Sequence, residues 1–357
     1  MNSSAKNFKV AKFLALTVCL FGLTAQLSAQ RTDEESLAGL RDMGLVVKYG
    51  AVNGEAAEWQ ATALQSLEAR AKKQLEEAGI RVLTADEATT GGRAKLVFTV
   101  NLNRVDNTSS PVRIDTKLYQ RVRLSRDSTM EMELPTWTMD GHGGPMVNQQ
   151  MLSDVFDGQV EAFFKYYKPM NPTTSEAPTE KIPAAASQLS DTRHGFEGLN
   201  STKLFLNIQE DRFSDARQKV LQQFLQDAAE TRLKEAGIKL IRYADESEQA
   251  GHALLYISIK LSKPNVDMWA PPIGVESRFS QWVRLVRDPK KQTDAVTWES
   301  RTHGEFVKDT NGELVIADDA VLELVNKQVD EFIKAFKAAN TNATSVAPQA
   351  KPDSPRQ

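Results

Sequence analysis

Apolar Leu96, Phe98, Val100 and Leu102 alternate with Val97, Thr99 and Asn101, and Leu255, Ile257, Ile259 and Leu261 alternate in the same way with Tyr256, Ser258 and Lys260. A period of two sends successive side chains to opposite faces of a strand, so both stretches predict strands with one buried and one wet face. A helical period appears earlier in each half of the chain. Leu64, Leu67, Ala71, Leu75 and Ala78 form one apolar stripe, and Leu221, Leu225, Ala229, Leu233 and Ala236 form another. Gly79 and Gly237 stop these helices, because glycine enters the left-handed conformation without a Cβ clash, and Ile80 and Ile238 can then fold back on Leu75 and Leu233.

The remaining elements follow from the same patterns. A short strand precedes each helix, with Leu45, Val47 and Tyr49 on one face in the first half and Leu204, Leu206 and Ile208 in the second. Strands through "QRVRLSRD" (120–127) and "QWVRLVRD" (281–288) end at Arg126-Asp127 and Arg287-Asp288, which read as turns, and the next strands carry Trp137 and Trp298. Closing helices over about 150–168 and 319–339 offer Phe163, Tyr167, Phe332 and Phe336 to the core. The order is β-α-β-β-β-β-α, an α+β, two-layer domain with two helices on one face of a mostly antiparallel sheet.

That order is written twice because the residues are. "LEEAGIRVL" at 75–83 matches "LKEAGIKLI" at 233–241, and "QVEAFFKYY" at 159–167 matches "QVDEFIKAF" at 328–336. The offset grows only from 158 (Leu75 to Leu233) to 169 (Gln159 to Gln328), which predicts a tandem duplication with repeat domains at 36–168 and 195–339. Residues 169–194, rich in Pro, Thr and Ala, read as a linker, and 340–357 read as a disordered tail.

The N-terminus adds an address. Lys6, Lys9 and Lys12 precede an apolar run from Phe13 to Ala25, and the small residues Ser28 and Ala29 follow, the order of a secretory signal peptide over 1–29. The run is shorter than the roughly 20 residues that a membrane-spanning helix needs. Cys19, the only cysteine, lies inside it, and bulky Val18 stands where lipid attachment asks for a small residue. Cleavage after Ala29 therefore predicts a periplasmic or extracellular protein with no thiol, which removes disulfides, cysteine catalysis and thiolate metal sites. A net charge of −3 gives no general attraction for nucleic acid.

Candidate chemistry is sparse. "WTMDGHG" (137–143) and "WESRTHG" (298–304) align His142 with His303, and Asp140 precedes His142 by two residues. A histidine beside a carboxylate suits general-base work, so Asp140, His142 and His303 are the candidate catalytic residues. Arg301 replaces Asp140 in the second half, and no nucleophile or phosphate-loop motif accompanies either histidine. One histidine per domain supplies too few ligands for zinc, and neither a metal nor another cofactor is expected.

The halves differ most between their third and fourth strands. There the first half has polar "NRVDNTSSPVRIDT", while the second has Met268, Trp269, Pro271, Pro272 and Ile273 together. Apolar and aromatic clusters in loops mark contact surfaces, so these five residues and Trp282, on the wet face of the next strand, are the candidate partner-binding residues. The second half also carries "EFVKDTNGELVI" (305–316), whose Asn311-Gly312 predicts an added hairpin.

In element order alone, each unit resembles the small periplasmic α+β domains of bacterial envelope proteins, such as those at the front of TolB-type and CsgG-type proteins; no site follows from that likeness. The reading that results is an exported tandem-domain binding or scaffold protein whose partner is another envelope or secreted protein. Two alternatives are an exported hydrolase using Asp140 and His142 and a small-ligand carrier with a cleft between the domains.

Overall fold

A computed structural model describes residues 34–53, 58–90, 93–103, 110–139, 141, 145–146, 149–172, 195–199, 201–209, 215–241, 253–261, 273–305, 307–308, 310–311 and 314–343. The protein is mixed α/β, with a large, mostly antiparallel sheet and five helices among the described residues. The chain forms two compact units, each assembled from three segments. Unit 1 comprises 1–122, 135–186 and 283–295; unit 2 comprises 123–134, 187–282 and 296–357. Each unit thus includes a hairpin tip that the other half of the sequence encodes, which no local periodicity signals. Of the predicted linker at 169–194, residues 173–194 lie outside the described residues, and Pro169 and Met170 belong to the closing helix of the first half.

In the first half of the sequence, β1 (Asp42–Asn53) leads into α1 (Glu58–Glu77), β2 (Arg81–Leu83), a short α2 (Ala85–Thr90) and β3 (Lys95–Asn103). Helical crossovers let strands run parallel, and β1 pairs parallel with both β2 and β3. β4 (Ser110–Leu124) then returns antiparallel to β3, β5 (Asp127–Met139) pairs with β4, and α3 (Gln149–Met170) follows the two-residue β6 (Pro145–Met146). The predicted stripes meet on one face of this sheet. Leu67, Ala71 and Leu75 of α1 and Phe156, Val160 and Phe163 of α3 bury against Leu96, Phe98, Val100, Ile114 and Leu118. A leucine, valine or phenylalanine side chain contributes roughly 1.5–3 kcal/mol when fully buried. Trp137 joins them edge-on to Phe163 at 5.6 Å.

In the second half of the sequence, β7 (Ser201–Gln209) leads into α4 (Asp215–Glu235), β8 (Lys239–Leu240), β9 (Leu254–Leu261), β10 (Ile273–Leu285) and β11 (Asp288–Gly304). β12 (Val307–Lys308) and β13 (Leu314–Val315) form the added hairpin, and α5 (Asp318–Ala343) closes the unit. β7 pairs parallel with β8 and β9, and β10 pairs antiparallel with β9. Its core repeats the first in kind: Phe196, Phe279, Phe332 and Phe336 stack or meet edge-on beneath Leu255, Ile257 and Ile259.

α2 is not visible in the apolar pattern, being too short to carry a stripe. Its signal is the tetrapeptide Thr84-Ala85-Asp86-Glu87: the Thr84 amide donates to Glu87 Oε2 (2.9 Å) and the Glu87 amide to Thr84 Oγ1 (3.3 Å), a reciprocal capping box.

The turn that opens each unit is held from two sides. In unit 1, Asn171 Nδ2 donates to the Leu37 and Tyr167 carbonyls (2.9 and 3.0 Å), and its Oδ1 accepts from the Gly39 amide (2.7 Å). In unit 2, Asn340 makes the corresponding bonds to Phe196, Phe336 and Gly198 (3.0, 2.9 and 3.0 Å). Both asparagines fall just beyond the end of their helix's apolar stripe, so the pattern of the sequence assigns them to linker and tail.

From the opposite side comes an arginine at a hairpin tip. Within unit 1, Arg287 donates from Nη2 to the Ser36 carbonyl (2.7 Å), from Nη1 to the Ala38 carbonyl (3.0 Å) and from Nε to Gln120 Oε1 (2.7 Å). Within unit 2, Arg126 donates to the carbonyls of Gly195 (2.8 Å) and Glu197 and to Gln281 Oε1 (3.0 Å). Burial pulls both guanidinium groups below their ordinary pKa. The two glutamines are fixed in turn: Gln120 Nε2 donates to Ser36 O and Thr136 Oγ1, and Gln281 Nε2 to Gly195 O and Thr297 Oγ1.

The helix stops are as the sequence predicts. Gly79 and Gly237 have φ of 81° and 83°, and the amides of Ile80 and Ile238 donate to Leu75 O and Leu233 O, both at 3.0 Å. A β-branched side chain at that φ is strained by about 1–3 kcal/mol. Gly237→Val should lower the denaturant midpoint with its slope unchanged, and Gly237→Asn should lower it less; equal midpoints for the two variants would contradict the assigned conformation.

Candidate functional site

Of the candidate catalytic residues, Asp140 and His142 lie outside the described residues. His303 stands exposed near the end of β11. Arg301, two residues before it, donates to Glu276 Oε1 from Nη2 (2.8 Å) and Nε (3.0 Å), so the position that holds Asp140 in the first half is occupied by an ion pair in the second. Among the described residues, no group of three or more His, Cys, Asp and Glu side chains gathers to hold a metal ion.

Of the candidate partner residues, Met268, Trp269, Pro271 and Pro272 also lie outside the described residues. Ile273 does not belong with them: it is fully buried as the first residue of β10. The reason is strand parity. Ile273 pairs with Leu261 and shares the core-facing row with Val275, Ser277 and Phe279, all buried. Trp282 has the opposite parity and is half-buried on the other face of the strand, as the sequence predicts.

That other face is the best-formed candidate surface in unit 2, and its register assembles residues that no contiguous stretch brings together. Phe205 on β7 pairs with Tyr256 on β9, which pairs with Arg278 on β10. The next row is Asn207, Ser258 and Glu276. Phe205 and Tyr256 stack with ring centroids 5.6 Å apart and planes 10° from parallel, and Asn207 Nδ2 donates to the Tyr256 hydroxyl at 3.3 Å. Glu276 Oε1 accepts from Arg278 Nε at 2.7 Å as well as from Arg301. Two guanidinium groups therefore share one carboxylate beside an aromatic pair. Charge-assisted bonds of this kind hold donors in a fixed orientation. All six residues of these two rows are half-buried, and both core helices of the unit lie on the opposite face.

Unit 1 presents a different chemistry at the corresponding rows. Val46, Val97 and Lys117 form one, and Lys48, Thr99 and Asp115 the next. Asp115 accepts from Arg113 Nε (2.7 Å) and Asn101 Nδ2 (3.0 Å). The aromatic pair thus belongs to unit 2. The sequence signal for it was available in the wet positions of two alternating strands, Phe205 and Tyr256, but only the parallel register of β7 and β9 makes them neighbours.

No family model matches the sequence, and no curated protein matches it. Solved structures do match, among them one described as a neuraminyllactose-binding hemagglutinin homolog from Helicobacter pylori. It is 13% identical over 37% of this chain and 83% of its own, with a TM-score of 0.17.

No helix among the described residues is long and apolar enough to cross a membrane.

One titratable group in unit 1 stands out. Burial pushes the Asp294 carboxyl up to about 6. A carboxyl whose folded pKa is raised stabilises the fold fully below its unfolded value near 4 and loses that contribution as pH rises through about 6. The stability difference between Asp294→Asn and the parent should therefore shift by roughly 3 kcal/mol in favour of the asparagine between about pH 4 and pH 8, since each pKa unit is worth about 1.4 kcal/mol. Denaturant titrations at a series of pH values measure it, and a difference that stays flat would contradict it.

Proposed function

We propose that this is an exported binding or scaffold protein, built from one ancestral unit used twice, which contacts its partner through the outward sheet face of the second unit. The observation that carries this reading is the pair of rows Phe205-Tyr256-Arg278 and Asn207-Ser258-Glu276. Stacked aromatics offer apolar area at low entropic cost, and Arg278 and Arg301 both bond the Glu276 carboxylate, which fixes two cationic groups beside them. Aromatic residues and arginine are the types enriched where proteins meet. An acidic, partly apolar surface on another exported protein is the complementary chemistry.

Export is supported by the basic, apolar and small segments that open the sequence. Duplication is supported by the aligned sequence blocks and by the like bonds of Asn171 and Asn340, and of Gln120 and Gln281, in the two units. Divergence then falls on the outward faces, where a partner-specific role is free to develop without disturbing the core.

Two measurements test the reading. N-terminal sequencing of the protein recovered from its native host should begin at Gln30; a chain that retains Met1 through Ala29 would contradict export by cleavage. Crosslinking and mass spectrometry in the same host should place the partner's crosslinks around β7, β9 and β10, and Tyr256→Ala combined with Arg278→Glu should remove them. Loss of the partner on His303→Ala, with the Tyr256 and Arg278 variant unaffected, would overturn the assignment in favour of the histidine.

A further inference from the structure

The arginine at each hairpin tip sits in a receptor that is nearly the same in the two units. One receptor is Ser36 O, Ala38 O and Gln120 Oε1; the other is Gly195 O, Glu197 O and Gln281 Oε1. All six acceptors are neutral. Four are backbone carbonyls, and the other two belong to glutamines that are themselves bonded to one of those carbonyls. The tips match as well. Each is a two-residue turn, Ser125-Arg126 or Val286-Arg287, followed by an aspartate that caps the turn: Asp127 Oδ1 accepts from the Thr129 amide (3.0 Å), and Asp288 Oδ1 from the Lys290 amide (3.3 Å). Backbone bonds seat each tip in the same manner, Ser125 N to Trp282 O at 3.1 Å in unit 2 and Val286 N to Arg121 O at 3.0 Å in unit 1.

A receptor made of two carbonyls and an amide oxygen reads a guanidinium on a tight turn and nothing that distinguishes one chain from another. Which hairpin fills it is decided by the tether, which supplies a high effective concentration within one molecule. We infer that the same receptors accept the hairpins of a second copy of this chain, so that two molecules pair by exchanging hairpins 123–134 and 283–295, with every anchor bond of the single chain re-formed between chains. Such exchange adds no new contact and removes none, which is why it is a low-cost route to a dimer. It is independent of the outward face of unit 2 and leaves that face present on both molecules.

The test uses two full-length variants. Arg126→Met removes the anchor of unit 2 and Arg287→Met that of unit 1. The Arg126→Met chain is labelled with heavy nitrogen, the two are unfolded together, refolded at high concentration, and the dimer is isolated by size-exclusion chromatography. In an exchanged mixed dimer, the labelled chain receives an intact Arg126 in unit 2 from the other chain, and in unit 1 it receives that chain's substituted hairpin, which lacks the arginine. Its 195–199 segment should therefore regain amide protection while its 36–40 segment loses it, the reverse of the pattern in the same variant alone. A mixture that stays monomeric at every concentration, or a dimer whose labelled chain keeps 195–199 open, would overturn the proposal. Should either variant fail to fold, unsubstituted chains carrying two different tags give a second readout. Mixed-tag dimers should form on joint refolding and not on mixing folded monomers; mixed-tag dimers formed equally by both routes would mean an ordinary surface contact and would equally sink hairpin exchange.

Discussion

A guanidinium held by neutral oxygens at the opening turn is the contact on which each unit depends. Arg287 in unit 1 and Arg126 in unit 2 bring a positive charge into a largely buried place, an arrangement that costs several kcal/mol unless the donors are satisfied. The geometry satisfies them: the planar fork matches two carbonyls of one turn and an amide oxygen. The dependence runs the other way too. Without the arginine the carbonyls of the opening turn lose a charged donor, and a buried carbonyl left unpaired costs about 1–3 kcal/mol.

From that turn the rest of each unit is organised. Its far side is tied by Asn171 or Asn340 to the end of the closing helix, and its apolar residues Leu37 and Phe196 are buried in the two cores. The closing helix in turn positions Phe163 or Phe332 against the tryptophan of β5 or β11, 5.6 Å from Trp137 and 5.5 Å from Trp298. With helices committed to one face of the sheet, the opposite face is where the units differ, and there unit 2 carries the Phe205 and Tyr256 stack beside the shared Glu276 carboxylate.

Much of this was legible in the sequence, because periodicity reports burial. The stripes of α1 and α4, the stops at Gly79 and Gly237, the alternation of β3 and β9 and the hairpin near Asn311 all follow from local spacing. Strand parity with Val275 and Phe279 likewise places Ile273 in the core, apart from the apolar loop before it. What periodicity cannot report is non-local. Arg126 and Arg287 look like ordinary exposed turn residues until the carbonyls that hold them, about 70 and 250 positions away in the chain, are brought near. The outward site is hidden for a related reason: its rows run across strands, and a parallel register between β7 and β9 leaves no mark along either strand.

The reach of the anchors across the sequence gives the most direct measurement. In amide hydrogen exchange on full-length chains, Arg287→Met should open the 36–40 turn of the first half while 195–199 stays protected, and Arg126→Met should do the reverse. A substitution that opened the turn of its own half of the sequence, or both turns equally, would contradict the assignment of each hairpin tip to the unit it is described in.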